Sequence, residues 1–196
     1  MARLPRGQLR EMILDATDRL LFETGNVDAV SIDAVVDAVG CTPPALYYYF
    51  PTKDALVHEV GQRRYERFAE DLEGSLPTTD DPIVELKARG HAYLDWGVGH
   101  PVHYRVLFMT PLPPPSGEDP DDPSGAPGLA ELIDNLDRAA AAGLITPADP
   151  LEMALAFWSI VHGITSLTIT NPELPAEVMH GILEITGAAV IGHYAA

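Results

Sequence analysis

A chain of 196 residues with 46% apolar content can build a packed core and has room for a small head and a larger body. Its formal net charge of −17, taken as a sum, argues against a phosphate-rich partner, and its single cysteine, Cys41, excludes an intramolecular disulfide and a cysteine-built zinc site. No run approaches the roughly 20 uninterrupted apolar residues of a membrane span, and the stretch MARLPRGQLR lacks the apolar core of a signal peptide, so a cytoplasmic chain without membrane contact is expected.

The spacing predicts a helix over 6–24, with Leu9, Met12, Ile13, Ala16, Leu20 and Leu21 three and four apart and Gly25 placed to end it. Ser31 caps a short second helix whose stripe is Ile32, Val35, Val36 and Val39, and Gly40 breaks it. Thr42 is the next N-cap. It puts Pro43 and Pro44 in a first turn, where backbone N–H groups have no helical partner, so the prolines open a third short helix that ends near Pro51. Thr52 caps a long helix over 53–73, carrying Leu56, Val60, Phe68 and Leu72. After a breaker region at 74–82, helical patterns cover 83–98, 101–109, 128–143, 150–169 and 175–194. No segment alternates apolar and polar residues over the length of a strand, and the expected fold class is all-α. Residues 111–128 hold seven prolines with Glu118, Asp119, Asp121 and Asp122, and read as an irregular surface loop.

The charge is unevenly placed. Residues 1–64 hold 7 Lys and Arg against 9 Asp and Glu, whereas residues 65–196 hold 5 against 20, so the acid sits in the body. Arg3, Arg6 and Arg10 form a basic arm of the kind that reaches along a DNA groove. Cys41, with Val39 and Leu46 nearby, reads as a small buried filler.

The second and third helices, joined through Gly40-Cys41 and preceded by a longer scaffold helix, have the proportions of a helix-turn-helix. Leu46 and Phe50, four apart, share one face and can pack inward, while Tyr47 and Tyr48 project the other way. Lys53 stands at the first position of a capped helix, where free N–H groups already favour an anion. The run Ala34-Val35-Val36-Asp37-Ala38-Val39-Gly40-Cys41-Thr42, followed by Leu46-Tyr47-Tyr48-Tyr49-Phe50 and Lys53-Asp54-Ala55-Leu56, resembles the signature of the TetR-like family of bacterial transcriptional regulators. Leu20, Phe22, Glu23 and Gly25 resemble the end of that family's first helix, and the likeness covers residues 9–57.

The resemblance implies a three-helix DNA-binding head at 1–52 on a ligand-binding and dimerisation body at 53–196, with 53–73 as connecting helix. It implies DNA contacts from Arg6, Ser31, Thr42, Pro43, Pro44, Tyr47, Tyr48 and Lys53, with Tyr47 and Lys53 on phosphate. One departure bears on recognition: family members often place Lys, Arg or Gly after the capping residue, where this chain has two prolines. Base reading by Pro43 and Pro44 must then be apolar, for example against a thymine methyl, leaving polar contacts to Thr42, Tyr48 and the arginine arm.

In the body, Phe157-Trp158-Ser159-Ile160-Val161-His162-Gly163 resembles the Trp-His-Gly motif of one C-terminal class in the same family, and Pro101-Val102-His103-Tyr104-Arg105 resembles the start of a short helix in that class. Tyr93, Trp96, Tyr104, Phe108, Trp158 and His162 are the candidate pocket residues, with ordinary core as the alternative for each. Only Lys87, Arg89 and Arg105 lie nearby as cations, which favours a neutral or cationic hydrophobic effector over a strongly anionic one. The last two helices carry more apolar surface than one core-facing stripe needs, which makes Ile160, Ile164, Leu167, Ile182, Ile185 and Val190 the candidate dimer interface. His100 and His103 flank Pro101 without sharing a regular face, and no metal, cofactor or catalytic motif is expected. The implied function is a homodimeric repressor that grips palindromic double-stranded operator DNA and releases it when a small effector binds. A helical interaction module with degenerate DNA binding, and a metal carrier or enzyme using the body histidines, are the alternatives.

Overall fold

The computed structural model describes residues 7–27, 29–110 and 128–195, and among these every regular element is helical. The elements are α1 (Gln8–Thr24), α2 (Ile32–Val39), α3 (Pro43–Tyr49), α4 (Lys53–Ser75), α5 (Pro82–Gly99), α6 (Pro101–Tyr104), a π-helical turn (Arg105–Met109), α7 (Leu129–Ala141), α8 (Pro150–Thr170) and α9 (Ala176–His193). The chain divides into two compact units, and the division falls inside α4, between Arg67 and Phe68. The sequence-based boundary at 52/53 stands 15 residues earlier, and residues 102–110 group with the first unit rather than with the body.

In the first unit, α1 stops where Gly25 turns left-handed (φ 61°, ψ 14°) and returns its N–H to the Leu21 carbonyl. Ser31, in extended conformation, accepts the Ala34 N–H and opens α2, and Gly40 at φ 71° closes it. A β-carbon at Gly40 meets no neighbouring atom, so it is the left-handed backbone that demands glycine there. Two short connections let α1, α2 and α3 pack around one core of Ile13, Leu21, Val35, Leu46, Phe50 and Leu56, which Val106 of the π-helical turn joins. Cys41 packs half-buried against this core, and burial pushes its thiol upward, away from the reactive thiolate.

The second unit is a bundle in which α5 packs against α7, α8 and α9, and α8 against both α7 and α9. Asp81 and Asp149 cap α5 and α8, each accepting two backbone N–H groups ahead of a proline in the first turn. Leu86, Leu132, Leu136, Met153 and Ala154 form the interior. At one end Glu85 receives Arg138 at 2.8 Å and Arg89 at 3.3 Å. Burial pushes the Glu85 carboxyl upward, but the hydrogen bonds from Arg138 and Arg89 outweigh it and hold the group below the usual carboxylate range. Helix α8 has the length and hydropathy of a membrane span, yet Met153, Ala154, Val161 and Ile164 are packed inside the bundle.

The single helix expected over 101–109 is instead one α-turn followed by the π-helical turn. The Thr110 hydroxyl donates to the Arg105 carbonyl at 3.1 Å, a five-residue reach that matches the wider ladder.

Leu46 is fully enclosed in the first unit, so Leu46→Ala should cost about 2–5 kcal/mol, as core truncations of this type do. Chemical unfolding followed by circular dichroism checks it; a cost under about 1 kcal/mol would mean that α3 does not depend on this anchor.

Candidate nucleic-acid interface and cavity

The outward face of the first unit is built by sorting the residues of α3. Leu46 and Phe50 are buried, whereas Tyr47 is 46% and Tyr48 82% exposed, and Tyr48 meets Tyr49 edge-on at 5.1 Å. The Arg10 guanidinium lies over the Phe50 ring at 5.4 Å and pairs with Glu59, covering the core from the side of α1 and α4.

Thr42 occupies the N-cap position but its side chain makes no capping bond. The reason lies in the prolines: Pro43 and Pro44 have no N–H to offer, and the next two donors, of Ala45 and Leu46, go to the Thr42 carbonyl at 2.9 and 3.1 Å. An exposed hydroxyl is left over beside the two pyrrolidine rings. The neighbouring helix differs, since the Thr52 hydroxyl accepts the Ala55 N–H at 3.0 Å and leaves Lys53, half-buried, in the first turn of α4. Thr42, Pro43, Pro44, Tyr47 and Tyr48 therefore form one exposed surface on α3. Ser31 is also exposed, with its oxygen engaged as the α2 cap. Arg6 lies outside the described residues.

The second unit holds a mostly apolar cavity of about 90 Å³. Its walls include Phe68 of α4, Tyr93 of α5, Leu129 of α7, Phe157 and Trp158 of α8, and Leu183 of α9, with Lys87, Arg89, His91 and Glu184 as its polar lining. This is smaller than the roughly 300–1,000 Å³ of drug-sized ligand sites, so a larger guest requires the helices to part. Two of the sequence-derived pocket residues, Tyr93 and Trp158, line it.

The other four do not. Trp96 packs on Phe68 at 4.7 Å and on His100 at 4.8 Å, and its indole N–H donates to Asp71. His162 faces the Tyr93 hydroxyl at 3.4 Å, one layer behind the wall. Tyr104 and Phe108 belong to the first unit, where Tyr104 is fully buried and their rings lie 5.1 Å apart. Helical spacing showed which aromatics share a face but not which unit each helix joins. Conversely, Gly90 and Gly187 line the cavity without any sequence pattern that marks them; a β-carbon on Gly90 would meet Leu183 at 3.6 Å. Of the candidate dimer residues, Ile185 is 72%, Leu167 55% and Ile182 39% exposed, Ile160 and Val190 are half-buried, and Ile164 is buried in its own bundle. Ile164 is thus a core residue of the protomer, because the α8 face that carries it is the one turned inward. Residues 111–127, most of the proline-rich segment, lie outside the described residues.

Two family models match the chain. One, described as "Bacterial regulatory proteins, tetR family", covers residues 13–60, and the other, "Tetracyclin repressor-like, C-terminal domain", covers residues 86–183. The chain belongs to the TetR family of bacterial transcriptional regulators. As a TetR-family member it is 30% identical over 106 residues to the HTH-type transcriptional activator FasR of Mycolicibacterium smegmatis, a match spanning 54% of this chain and 48% of that protein. It is similar in fold to a TetR-family regulator from Shewanella sp. PV-4 (TM-score 0.73, 17% identity, 96% of this chain and 99% of that one). It is also similar to the flavonoid-responsive regulator FrrA (TM-score 0.68, 22% identity, 96% of this chain and 98% of that one). TetR-type regulators bind DNA, and the first model covers the helices whose outward face is described above.

In this regulator, burial holds the His162 imidazole below its ordinary titration range. The unfolded chain takes up that proton first, so the stability involved is present above about pH 6.5 and is lost as pH falls below it. His162→Gln should therefore flatten the fall in thermal stability between neutral pH and about pH 5. An unchanged slope in calorimetry at matched ionic strength would remove His162 from the acid sensitivity of the bundle.

Proposed function

We propose that the chain is a cytoplasmic homodimeric repressor whose α3 enters the major groove of a palindromic operator and which lets go when a hydrophobic effector occupies the α5–α9 cavity. The observation that carries the reading is the sorting of α3: two aromatic side chains stand in solvent on a helix whose other face is fixed in a core. Such a rigid, exposed aromatic pair beside a free threonine hydroxyl is costly to leave in water and useful in a groove. Lys53 at the start of α4, with Ser31 and Tyr47, supplies phosphate contacts, and the basic arm that includes Arg6 adds to them.

Dimerisation is supported by α9, where Val178, Ile182 and Ile185, spaced four and three apart, are each at least 39% exposed. An apolar stripe of that length on one helix face fits a second copy across a two-fold axis. The effector is a neutral hydrophobic molecule, since most of the cavity wall is apolar and its cations Lys87 and Arg89 outnumber its one carboxylate, Glu184, which disfavours a cationic guest. Binding to a state with parted helices shifts the population away from the DNA-competent one. The same fold serves a flavonoid-responsive regulator, in keeping with an aromatic-lined cavity.

Two variants test the reading by fluorescence anisotropy on the DNA upstream of the chain's own coding sequence. Lys53→Ala should weaken binding to specific and random DNA alike and lower the slope of log affinity against log salt by about one unit. Ile185→Glu should give monomers in sedimentation that have lost specific binding. Unchanged salt dependence in the first, or operator-binding monomers in the second, would overturn the assigned roles.

A further inference from the structure

Beside the cavity, α5 and α9 are joined by a chain of four side chains that DNA binding does not use. His91 of α5 and His180 of α9 face each other with their Nδ1 atoms 2.7 Å apart. Their rings are 22° from parallel and their centroids 5.0 Å apart, a distance that equals the nitrogen separation plus two ring radii. The nitrogens thus lie on the line joining the rings, and the imidazoles meet head-on rather than face to face. At the outer ends, His91 Nε2 lies 2.6 Å from a Glu184 oxygen and His180 Nε2 lies 3.0 Å from an Asp95 oxygen. Hydrogen bonding to His91, and then the nearby Lys87 ammonium at 3.7 Å, hold the Glu184 carboxyl below the usual range, so that end is ionised.

Proton counting fixes the state of this chain. A carboxylate only accepts, so both Nε2 atoms must carry hydrogen, and the central contact needs one more hydrogen between the Nδ1 atoms. Two neutral imidazoles bring one hydrogen too few, leaving an acceptor against an acceptor. Two imidazolium ions bring one too many and set donor against donor, cation against cation. Only the pair with a single extra proton satisfies all three contacts. A metal in place of that proton would stand about 2.0–2.1 Å from each nitrogen and on this line would need a gap of about 4 Å. Among the described residues, moreover, no cluster of three or more ligating side chains is able to hold a metal ion.

We propose that His91 and His180 share one proton, that this bridge clamps α5 to α9, and that a second proton opens the clamp and with it the cavity. Acid would then act in the same direction as an effector; this consequence rests on reading the cavity as the effector site, whereas the bridge itself does not. His91 and Glu184 line the cavity, while His180 and Asp95 lie outside it. The charged groups around the pair are Lys87 and Asp95 of α5, Glu184 of α9 and, across a shallow cleft, Asp71 of α4. Helix α8 contributes His162, bonded to Tyr93, and α7 contributes Asp134 and Arg138, tied to each other at the Glu85 end.

The test uses the full chain, its His180→Gln variant, whose amide bridges but does not titrate, and Asp95→Asn, which removes one end carboxylate without touching the cavity. Nitrogen NMR of the imidazoles should find one shared Nδ1 proton at neutral pH in the native chain and none in Asp95→Asn. Uptake of the neutral dye Nile red by the native chain should tighten at least about fivefold from neutral pH to about pH 5.5, the lower end of ordinary coupling, and stay level in His180→Gln. Two neutral, unlinked imidazoles at neutral pH, or identical pH profiles in both proteins, would overturn the proposal. If Nile red binds at no pH, it is the cavity reading that fails; the bridge is then decided by the NMR result and by whether the native chain, but not His180→Gln, loses thermal stability on both sides of neutrality.

Discussion

The seating of Leu46 and Phe50 in the core of the first unit is the contact on which the rest depends. A helix of seven residues is far too short to be stable alone, and α3 has two prolines in its first turn and no side-chain cap. Its order comes from two anchors, four residues apart, both nearly inaccessible to solvent. Because those anchors occupy one face, Tyr47 and Tyr48 are presented on the opposite one. Recognition, on this account, is a by-product of packing geometry.

The second unit obeys the reverse logic. Its cavity is smaller than an ordinary ligand site, so the effector proposed for it needs space that the helices must part to make. Groups that tie α5 to its neighbours set how easily that happens. Glu85 with Arg89 and Arg138 holds one end, and the His91–His180 pair holds the α9 side. Charged groups pairing across helices, rather than along one, make such a bundle responsive to its surroundings, because each pair is a discrete contact that is either made or broken. The protein's acidity, concentrated in residues 65–196, is compatible with DNA binding because the head carries little of it.

Much of this was legible in the sequence. Gly25 and Gly40 end their helices as left-handed caps, Ser31 and Thr52 bond as N-caps, and Pro43 and Pro44 open α3, all from local rules that tertiary context did not override. The free Thr42 hydroxyl was not legible, since an N-cap preference says nothing of whether the following residues have donors to give. Tyr104 and Phe108 were grouped with Tyr93 by their aromatic character and helical spacing. Which unit a short helix joins is decided by long-range packing that no local period encodes. Ile164 illustrates the same limit: on a helix apolar all round, the pattern does not tell the inward face from the outward one. His91, His180, Glu184 and Asp95 lie on two helices some ninety residues apart, beyond the reach of any spacing rule.

Selection from a library of random duplexes measures most directly whether the exposed face of α3 reads DNA as one half of a two-fold pair. The native chain should enrich an inverted repeat with half-sites one helical turn apart, about 34–36 Å, or a multiple of it. Tyr48→Ala should alter or blur the enriched half-site while leaving thermal stability within about 0.5 kcal/mol, as expected for an exposed residue. A library that emerges without an enriched motif, or with the same motif from Tyr48→Ala at the same strength, would contradict the account.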